Sequence, residues 1–249
     1  MVQDYEATLT KKTEVAPEIW YYQFDIPEGQ SLDFVAGQYM LLNINNNYRQ
    51  YSIASADTIH NSFDLLVETI PGGLGSNYLM NLPIGNKAQF KGPAGVFVLK
   101  NTPRDKIFLA TGTGVAPIKS MIESYFGREQ HNASLTLFFG LKNRDGVYLY
   151  DAFKDIAERH PNFNFRICLS REENLAGLDE VCYGVGRVNS HLEVFLDRHK
   201  DAAVKPKNEI MNAYEYYICG SKTTVDSLKE FALTMGVLPE NVAFERFTL

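Results

Sequence analysis

Phe108-Leu109-Ala110-Thr111-Gly112-Thr113-Gly114-Val115-Ala116-Pro117 decides the fold of this chain. It reads as an apolar strand, a glycine turn and the start of a helix. Ile107 to Ala110 has the unbroken apolar character of a strand covered on both faces. Val115, Ile118, Met121, Ile122 and Tyr125 then recur at helical spacing. Gly112 and Gly114 permit the tight turn. Pro117 falls in the first helical turn, where its missing N–H costs little. Ligands of open α/β sheets bind at such strand ends, against a helix start whose free N–H groups attract anions. The dehydrogenase pattern G-x-G-x-x-G is not met, because position 117 is Pro.

Working outward toward the C-terminus, strand and helix patterns alternate. Strands are expected at Ser134 to Phe139, Phe163 to Leu169, Tyr214 to Cys219 and Val242 to Phe247. Helices are expected at Asp151 to Arg159, Ser190 to Arg198 and Thr223 to Met235. This alternation predicts βαβ units around a doubly wound parallel sheet. Asp201 to Asn212 is polar and weakly patterned and reads as a loop.

Toward the N-terminus the pattern becomes short and β-like. Trp20 to Ile26, Tyr39 to Ile44, Tyr48 to Ile53, Phe63 to Ile70 and Gly95 to Leu99 are rich in strand formers. Pro27-Glu28-Gly29, Asn45-Asn46-Asn47, Pro71-Gly72-Gly73 and Lys91-Gly92-Pro93 read as turns. A short helix is expected to begin near Ser76, with the Ser76 hydroxyl as its cap. Regularly spaced strands predict an antiparallel Greek-key β-barrel. The proline-containing break Asn101-Thr102-Pro103 places a domain boundary there, giving 1–101 and 102–249.

The chain has 249 residues, 45% hydrophobic and 22% charged, with a formal net charge of −6. Two domains with substantial cores are therefore feasible. The negative charge disfavours a nucleic-acid or anionic-membrane partner. Cys168, Cys182 and Cys219 form no C-x-x-C pair, which argues against an iron–sulfur or zinc cradle and against a disulfide framework. His60, His131, His160, His191 and His199 lack metal-ligand spacing and read as surface residues, so no metal is expected. Neither a secretory signal nor a membrane span is visible, and a cytoplasmic location is expected.

Within the β-rich half, Arg49-Gln50-Tyr51-Ser52 stands out. On a strand, Arg49 and Tyr51 share one face and Ser52 takes the other. Arg49 can grip a phosphate with a forked pair of hydrogen bonds, and Tyr51 offers a plane for stacking. Gly72-Gly73-Leu74-Gly75-Ser76 then opens the short helix, a second anion-binding element. Each feature alone also suits a solvated strand or a hairpin connection.

Together, Arg49-Gln50-Tyr51-Ser52 with Ile53-Ala54-Ser55, Gly37-Gln38-Tyr39, Gly92-Pro93-Ala94-Gly95-Val96-Phe97 and the Gly112 to Pro117 turn resemble the ferredoxin–NADP reductase superfamily. The resemblance runs from Gly37 to Phe247. It implies FAD and NAD(P)H as cofactors, with Arg49 on the FAD pyrophosphate, Tyr51 on the isoalloxazine, and Ser52 and Ile53 beside it. Gly75 and Ser76 match the second pyrophosphate contact. The residue that packs on the adenine is not placed.

For the nicotinamide nucleotide the resemblance implies Gly112, Thr113 and Gly114 at the pyrophosphate, with Thr113 also approaching the flavin. Cys219 and Gly220 would hold the nicotinamide by packing rather than by nucleophilic attack. Ser170-Arg171 would hold a 2′-phosphate, favouring NADPH. A solvated loop is the competing reading, and Arg187 is a candidate second cation. Glu245 and Phe247 share a strand face. In plant-type members the terminal residue is aromatic. Here Thr248 and Leu249 follow Phe247, and Glu245 is the better match.

The expected function is transfer of hydride from NAD(P)H to FAD and of electrons onward to a ferredoxin, flavodoxin or oxygenase component. Ser52, Cys219 and Glu245 are the expected catalytic residues, and the protein is expected to be a monomer or weak dimer. The alternatives are a reductase of free flavin and a non-catalytic flavin-binding subunit.

Overall fold

A computed structural model describes residues 2–128, 132–202 and 207–247. His131, the side chain of His199, Thr248 and Leu249 lie outside the described residues, as do residues 203–206 of the expected loop. The described chain forms two units: 2–100 with 116–128, and 101–115 with the part beyond 132.

In the first unit, period-2 alternation drives apolar side chains to one side. β1 (Gln3–Ala16) buries Tyr5, Ala7 and Leu9. β2 (Ile19–Asp25), β3 (Tyr39–Ile44), β4 (Asn47–Ser52), β5 (Ser62–Glu68) and β6 (Lys87–Ala94) complete a six-stranded sheet of order β4-β3-β6-β1-β2-β5. All neighbours pair antiparallel. An Ile53–Leu65 bridge and the Ala54 N–H donated to Asp64 O at 2.8 Å join the two edges, which closes the sheet into the expected barrel. The rings of Phe24, Phe63 and Phe90 pack in its core, with centroids 4.9 to 5.5 Å apart.

Three expectations are corrected here. The last strand of the barrel is β6 rather than Gly95 to Leu99. Lys91-Gly92-Pro93 lies within β6 instead of forming a turn, with Lys91 paired to both β1 and β3 and Gly92 to β1. The short helix α1 (Leu74–Asn81) begins two residues before Ser76, with Gly73 as its N-cap. The Ser76 hydroxyl accepts from the Ile70 amide at 3.1 Å, so it fixes the preceding turn and does not cap the helix.

α2 (Val115–Phe126) follows the glycine turn, and its C-terminal turns belong to the first unit. Lys119 Nζ donates to Ala54 O at 3.0 Å, and the Ser120 hydroxyl donates to Ser55 O at 2.6 Å. Ser124 Oγ accepts from the Asp57 amide at 2.8 Å. Arg128 Nη2 grips both Asp57 oxygens at 2.8 Å. The segment leaving β4 is thus held along its length by one helix.

The second unit is built on β7 (Asp105–Thr111), β8 (Leu135–Leu141), β9 (Phe163–Leu169), β10 (Tyr183–Val185), β11 (Tyr214–Ser221) and β12 (Val242–Phe247), all parallel, in the order β10-β9-β8-β7-β11-β12. α3 (Tyr150–Arg159), α4 (Val188–Ala202), α5 (Lys207–Met211) and α6 (Lys222–Thr234) complete it. α5 corrects part of the expected loop at Asp201 to Asn212. Val188, Leu192 and Leu196 of α4 and Val225, Leu228 and Ala232 of α6 pack with Ile107, Leu109 and Ile218 of the sheet. Phe153 of α3 meets Phe139 of β8 with centroids 6.4 Å apart.

The chain winds from β7 outward through β8, β9 and β10, then crosses to β11 and β12. The winding direction therefore reverses between β7 and β11, the place where such sheets bind ligands at their carboxyl ends. The opposite end is locked by buried charge. Lys106 Nζ meets Glu215 Oε2 at 3.0 Å and donates to Arg104 O at 2.6 Å, with both side chains under 5% exposed.

Candidate cofactor-binding sites

In the barrel, β3 sets the position of β4: Leu42 pairs with Arg49, Met40 with Tyr51 and Tyr39 with Ser52. Met40 and Leu42 are buried, so Arg49 and Tyr51 stand on the inward-facing side near the end where α1 crosses. Tyr51 is half-buried against the barrel core, and burial pushes its phenol up to about 12 against the opposing pull of Arg49. It is a neutral aromatic plane at physiological pH.

Gly75 explains why α1 can come so close. A Cβ there would run into Tyr51 Oη and lie 3.1 Å from Cβ and Cγ of Arg49. The helix start carries no side-chain cap, which leaves first-turn amides without a capping side chain, beside a cation. Arg49 is exposed and uses Nη1 on Tyr48 O at 2.9 Å, so the rest of its fork is available. A guanidinium, an aromatic plane and uncapped amides around a glycine cradle fit a flavin diphosphate. Ser52 is 5% exposed and Ile53 fully buried. The Ile53 amide donates to Gln38 O at 3.0 Å, so the Gly37-Gln38-Tyr39 motif has a positioning role.

In the second unit, Gly112 to Gly114 form a single 3-10 turn between β7 and α2, and Thr111 before it makes no side-chain cap. Gly112 has φ of +52°, a conformation that favours glycine. A Cβ on Gly114 would lie 2.5 Å from Cys219 O and 2.6 Å from Gly220 Cα. A Cβ on Gly220 would strike Thr111 Oγ1. The ends of β7 and β11 therefore interlock through glycines at the switch point, where any side chain would collide with the neighbouring strand.

Cys219 is fully buried and registers with Ala110 on one side and Glu245 on the other. Burial, reinforced by Glu245, holds its thiol well above the ordinary 9.0. It is a neutral packing group, unsuited to nucleophilic attack. On β12, Phe244 has Lys229 Nζ 4.1 Å and the Arg246 guanidinium 4.8 Å from its ring centre, and Arg246 pairs with Asp226 at 2.7 Å. Strand alternation puts Glu245 and Phe247 on the other face, both half-buried.

Ser170 and Arg171 leave the carboxyl end of β9, and both are exposed. Their amides donate to Leu141 O at 3.0 Å and Lys142 O at 2.9 Å, which ties this loop to the one after β8. Sequence reasoning missed Arg144. Its amide donates to Glu172 Oε1 at 2.9 Å, and its Nε and Nη2 reach Glu172 Oε2 at 3.2 and 3.1 Å. These bonds, the backbone one foremost, hold the Glu172 carboxyl below its ordinary 4.5. The acid that follows Arg171 in the chain is thus already paired. The partner sits in another βα loop, which no local pattern reveals. Arg187 is exposed at the start of α4.

His191 departs from the surface reading. It is half-buried, its Nε2 lies 3.0 Å from Val185 O, and burial lowers its imidazole pKa. Among the described residues there is no cluster of metal-ligating side chains, and no helix is long and apolar enough to cross a membrane.

Comparison with known proteins agrees with this division. Residues 6–99 match the oxidoreductase FAD-binding domain family, and residues 108–230 match the oxidoreductase NAD-binding domain family. Ferredoxin–NADP reductase B of Sorangium cellulosum is 29% identical over 251 residues, covering 98% of each chain. Reductase component 1 of terephthalate 1,2-dioxygenase from Comamonas is 28% identical over 239 residues, covering 95% of this chain and 66% of its own length. Among solved structures, the Amycolatopsis cytochrome P450 reductase superposes with a TM-score of 0.84 at 23% identity, over 100% of this chain and 71% of its own. Plasmodium falciparum ferredoxin–NADP+ reductase, in its H286L mutant, superposes with a TM-score of 0.76 at 20% identity, over 98% and 96%. The chain, with an FAD-binding and an NAD-binding domain, belongs to the ferredoxin–NADP reductase family as a flavoprotein NAD(P)H-dependent reductase.

Proposed function

We propose that this reductase prefers NADPH and delivers electrons to a separate oxygenase component or ferredoxin. The reading rests on the site residues taking the roles their positions suggest. Bound FAD supplies the chemistry, accepting a hydride and releasing electrons singly or in pairs. The protein supplies position. Arg49 and the first turn of α1 hold the diphosphate, and Tyr51 presents its plane to the ring. Gly112 to Gly114 hold the coenzyme pyrophosphate. Buried Cys219 and Gly220 form a neutral floor for the nicotinamide, excluding water from the hydride path.

The observation that carries the coenzyme preference is the Arg144–Glu172 pair. It occupies Glu172, the acid that follows Arg171 in the chain, so that Arg171 and Ser170, with Glu173 beside them, are the groups that would meet a 2′-phosphate. The acceptor class is supported by the relatives, whose names describe a dioxygenase reductase component and a ferredoxin reductase. Steady-state assays with ferricyanide, then with purified oxygenase components and ferredoxins, test both points. The expected result is a higher kcat/KM with NADPH and saturable transfer to one protein acceptor. A preference for NADH, or reduction of free flavin only, contradicts the proposal.

A further inference from the structure

Ala54 and Ser55 lie just beyond the strand that carries Arg49, Tyr51 and Ser52. β4 ends at Ser52. Past it, strand pairing shrinks to the Ile53–Leu65 bridge and the bond from the Ala54 N–H to Asp64 O. Ala54 is fully buried, so its carbonyl needs a donor. That donor is a side chain, Lys119 Nζ at 3.0 Å. The same ammonium meets Glu123 Oε2, one turn further along α2, at 2.8 Å.

Lys119 is an unusual residue for this place. It is 6% exposed, on a helix whose neighbouring Ile118, Met121 and Ile122 are apolar and fully buried. A buried ion pair replaced by apolar residues of similar volume is often no less stable, so stability does not explain the charge. The surroundings are built to keep it. Asp64 alternates along β5 with Phe63 and Leu65 of the barrel core, which turns its side chain to the outer face. It is buried there, and its Oδ1 has no hydrogen-bond partner among the described residues. Its amide donates to Ser55 Oγ at 3.2 Å, which places it beside the same segment. Burial lifts the Glu123 carboxyl above its ordinary 4.5, against the pull of Lys119 and reinforced by Asp64. Burial, then Asp64 and Glu123, raise the Tyr21 phenol on β2. Lys11 of β1 completes the surroundings, with Nζ 5.5 Å from the centre of the Tyr21 ring. Glu123 and Asp64 thus act on one another, the ammonium touches the first, and its other contact is the backbone two residues after Ser52.

We propose that Lys119 is a positioning residue for hydride transfer: held by Glu123, its ammonium pins the Ala54 carbonyl and so fixes the path of Ser52 and Ile53 beside the flavin ring. The inference rests on the reading of that segment as the ring's neighbour. Stopped-flow reduction of the FAD-loaded protein by NAD(P)H tests it. The limiting rate constant per bound flavin is the readout, because it does not depend on how much protein is folded. Lys119→Met keeps the length and the apolar stem. It should lower that constant roughly tenfold through lost alignment, shift the visible band of the bound flavin, and leave the half-saturating nucleotide concentration unchanged. Lys119→Arg keeps the charge and the donors, and should recover most of the rate. Glu123→Gln should lower the constant by less than Lys119→Met, and it decides alone if Lys119→Met fails to hold flavin. A wild-type constant and spectrum in the deciding variant overturn the positioning role and leave the flavin reading standing. So does a raised half-saturating concentration at an unchanged constant, or Lys119→Arg as slow as Lys119→Met. A wild-type protein that binds no flavin overturns the underlying reading instead.

Discussion

Tyr51, Cys219 and Arg171 are each tied to one measurable step. Tyr51 packs over Gly75, so Tyr51→Ala removes the stacking plane and opens a gap beside α1. It should lose bound flavin on gel filtration, where wild type stays yellow; full retention contradicts the stacking role. Cys219→Ala keeps the buried, neutral character of its position. It should retain flavin and slow flavin reduction by NAD(P)H on the order of tenfold, as expected for a small loss of hydride alignment. Near-wild-type reduction in stopped flow removes Cys219 from the nicotinamide site. Arg171→Ala should raise KM for NADPH and leave KM for NADH alone; equal effects on both end the 2′-phosphate reading. These residue types were legible in the sequence because family motifs concentrate them. Arg144 was not, because it acts on a loop distant in sequence.

At the scale of elements, two buried polar assemblies hold the frame. Asp57 accepts the Ala36 amide at 3.1 Å and both bonds from Arg128. Asp57→Ala strands these donors and should cost about 1–3 kcal/mol in urea unfolding, the usual range for bonds to a charged group. No loss means that the Asp57 cluster adds nothing to the hold of α2 beyond its apolar face and the bonds from Lys119, Ser120 and Ser124. At the far end of β7, burial pushes the Glu215 carboxyl up, but bonds from Lys106, Thr102 and Tyr217 outweigh it, and the net value falls below the ordinary 4.5. A depressed carboxylate contributes stability above its unfolded pKa and loses it as pH falls through the folded one. Glu215→Gln should therefore cost about 3–5 kcal/mol at neutral pH, as for any buried pair left with one partner. The gap from wild type should narrow below pH ~4. A gap independent of pH contradicts this assignment.

Element boundaries were readable where one period dominated. Phe163–Leu169 and Val242–Phe247 form strands with the expected limits because strand-forming residues dominate them, Phe163, Phe165 and Ile167 alternating with Asn164 and Arg166. β6 was obscured by Gly92 and Pro93, which carry turn signals although the strand continues through them to Ala94. The alternation of Lys87, Ala88, Gln89 and Phe90 was the available clue. Ser76 looked like a cap because it precedes a helical run. The helix starts earlier, since glycine at positions 73 and 75 lets the chain turn closer to Tyr51.

For the whole molecule, the change from alternating to helical periodicity near residue 101 announced two architectures, a closed antiparallel barrel and a wound parallel sheet. Sheet order was not legible, because pairing of β6 with both β1 and β3, and of β7 with β11, joins segments far apart in sequence. The central claim is that this single chain takes up FAD and accepts hydride from a pyridine nucleotide. Anaerobic titration of the purified, FAD-loaded protein, followed by its visible absorbance, tests it most directly. Stoichiometric flavin, bleached by NADPH at lower concentration than by NADH, is the predicted result. A polypeptide that takes up no flavin, or whose bound FAD neither nucleotide reduces, contradicts the account.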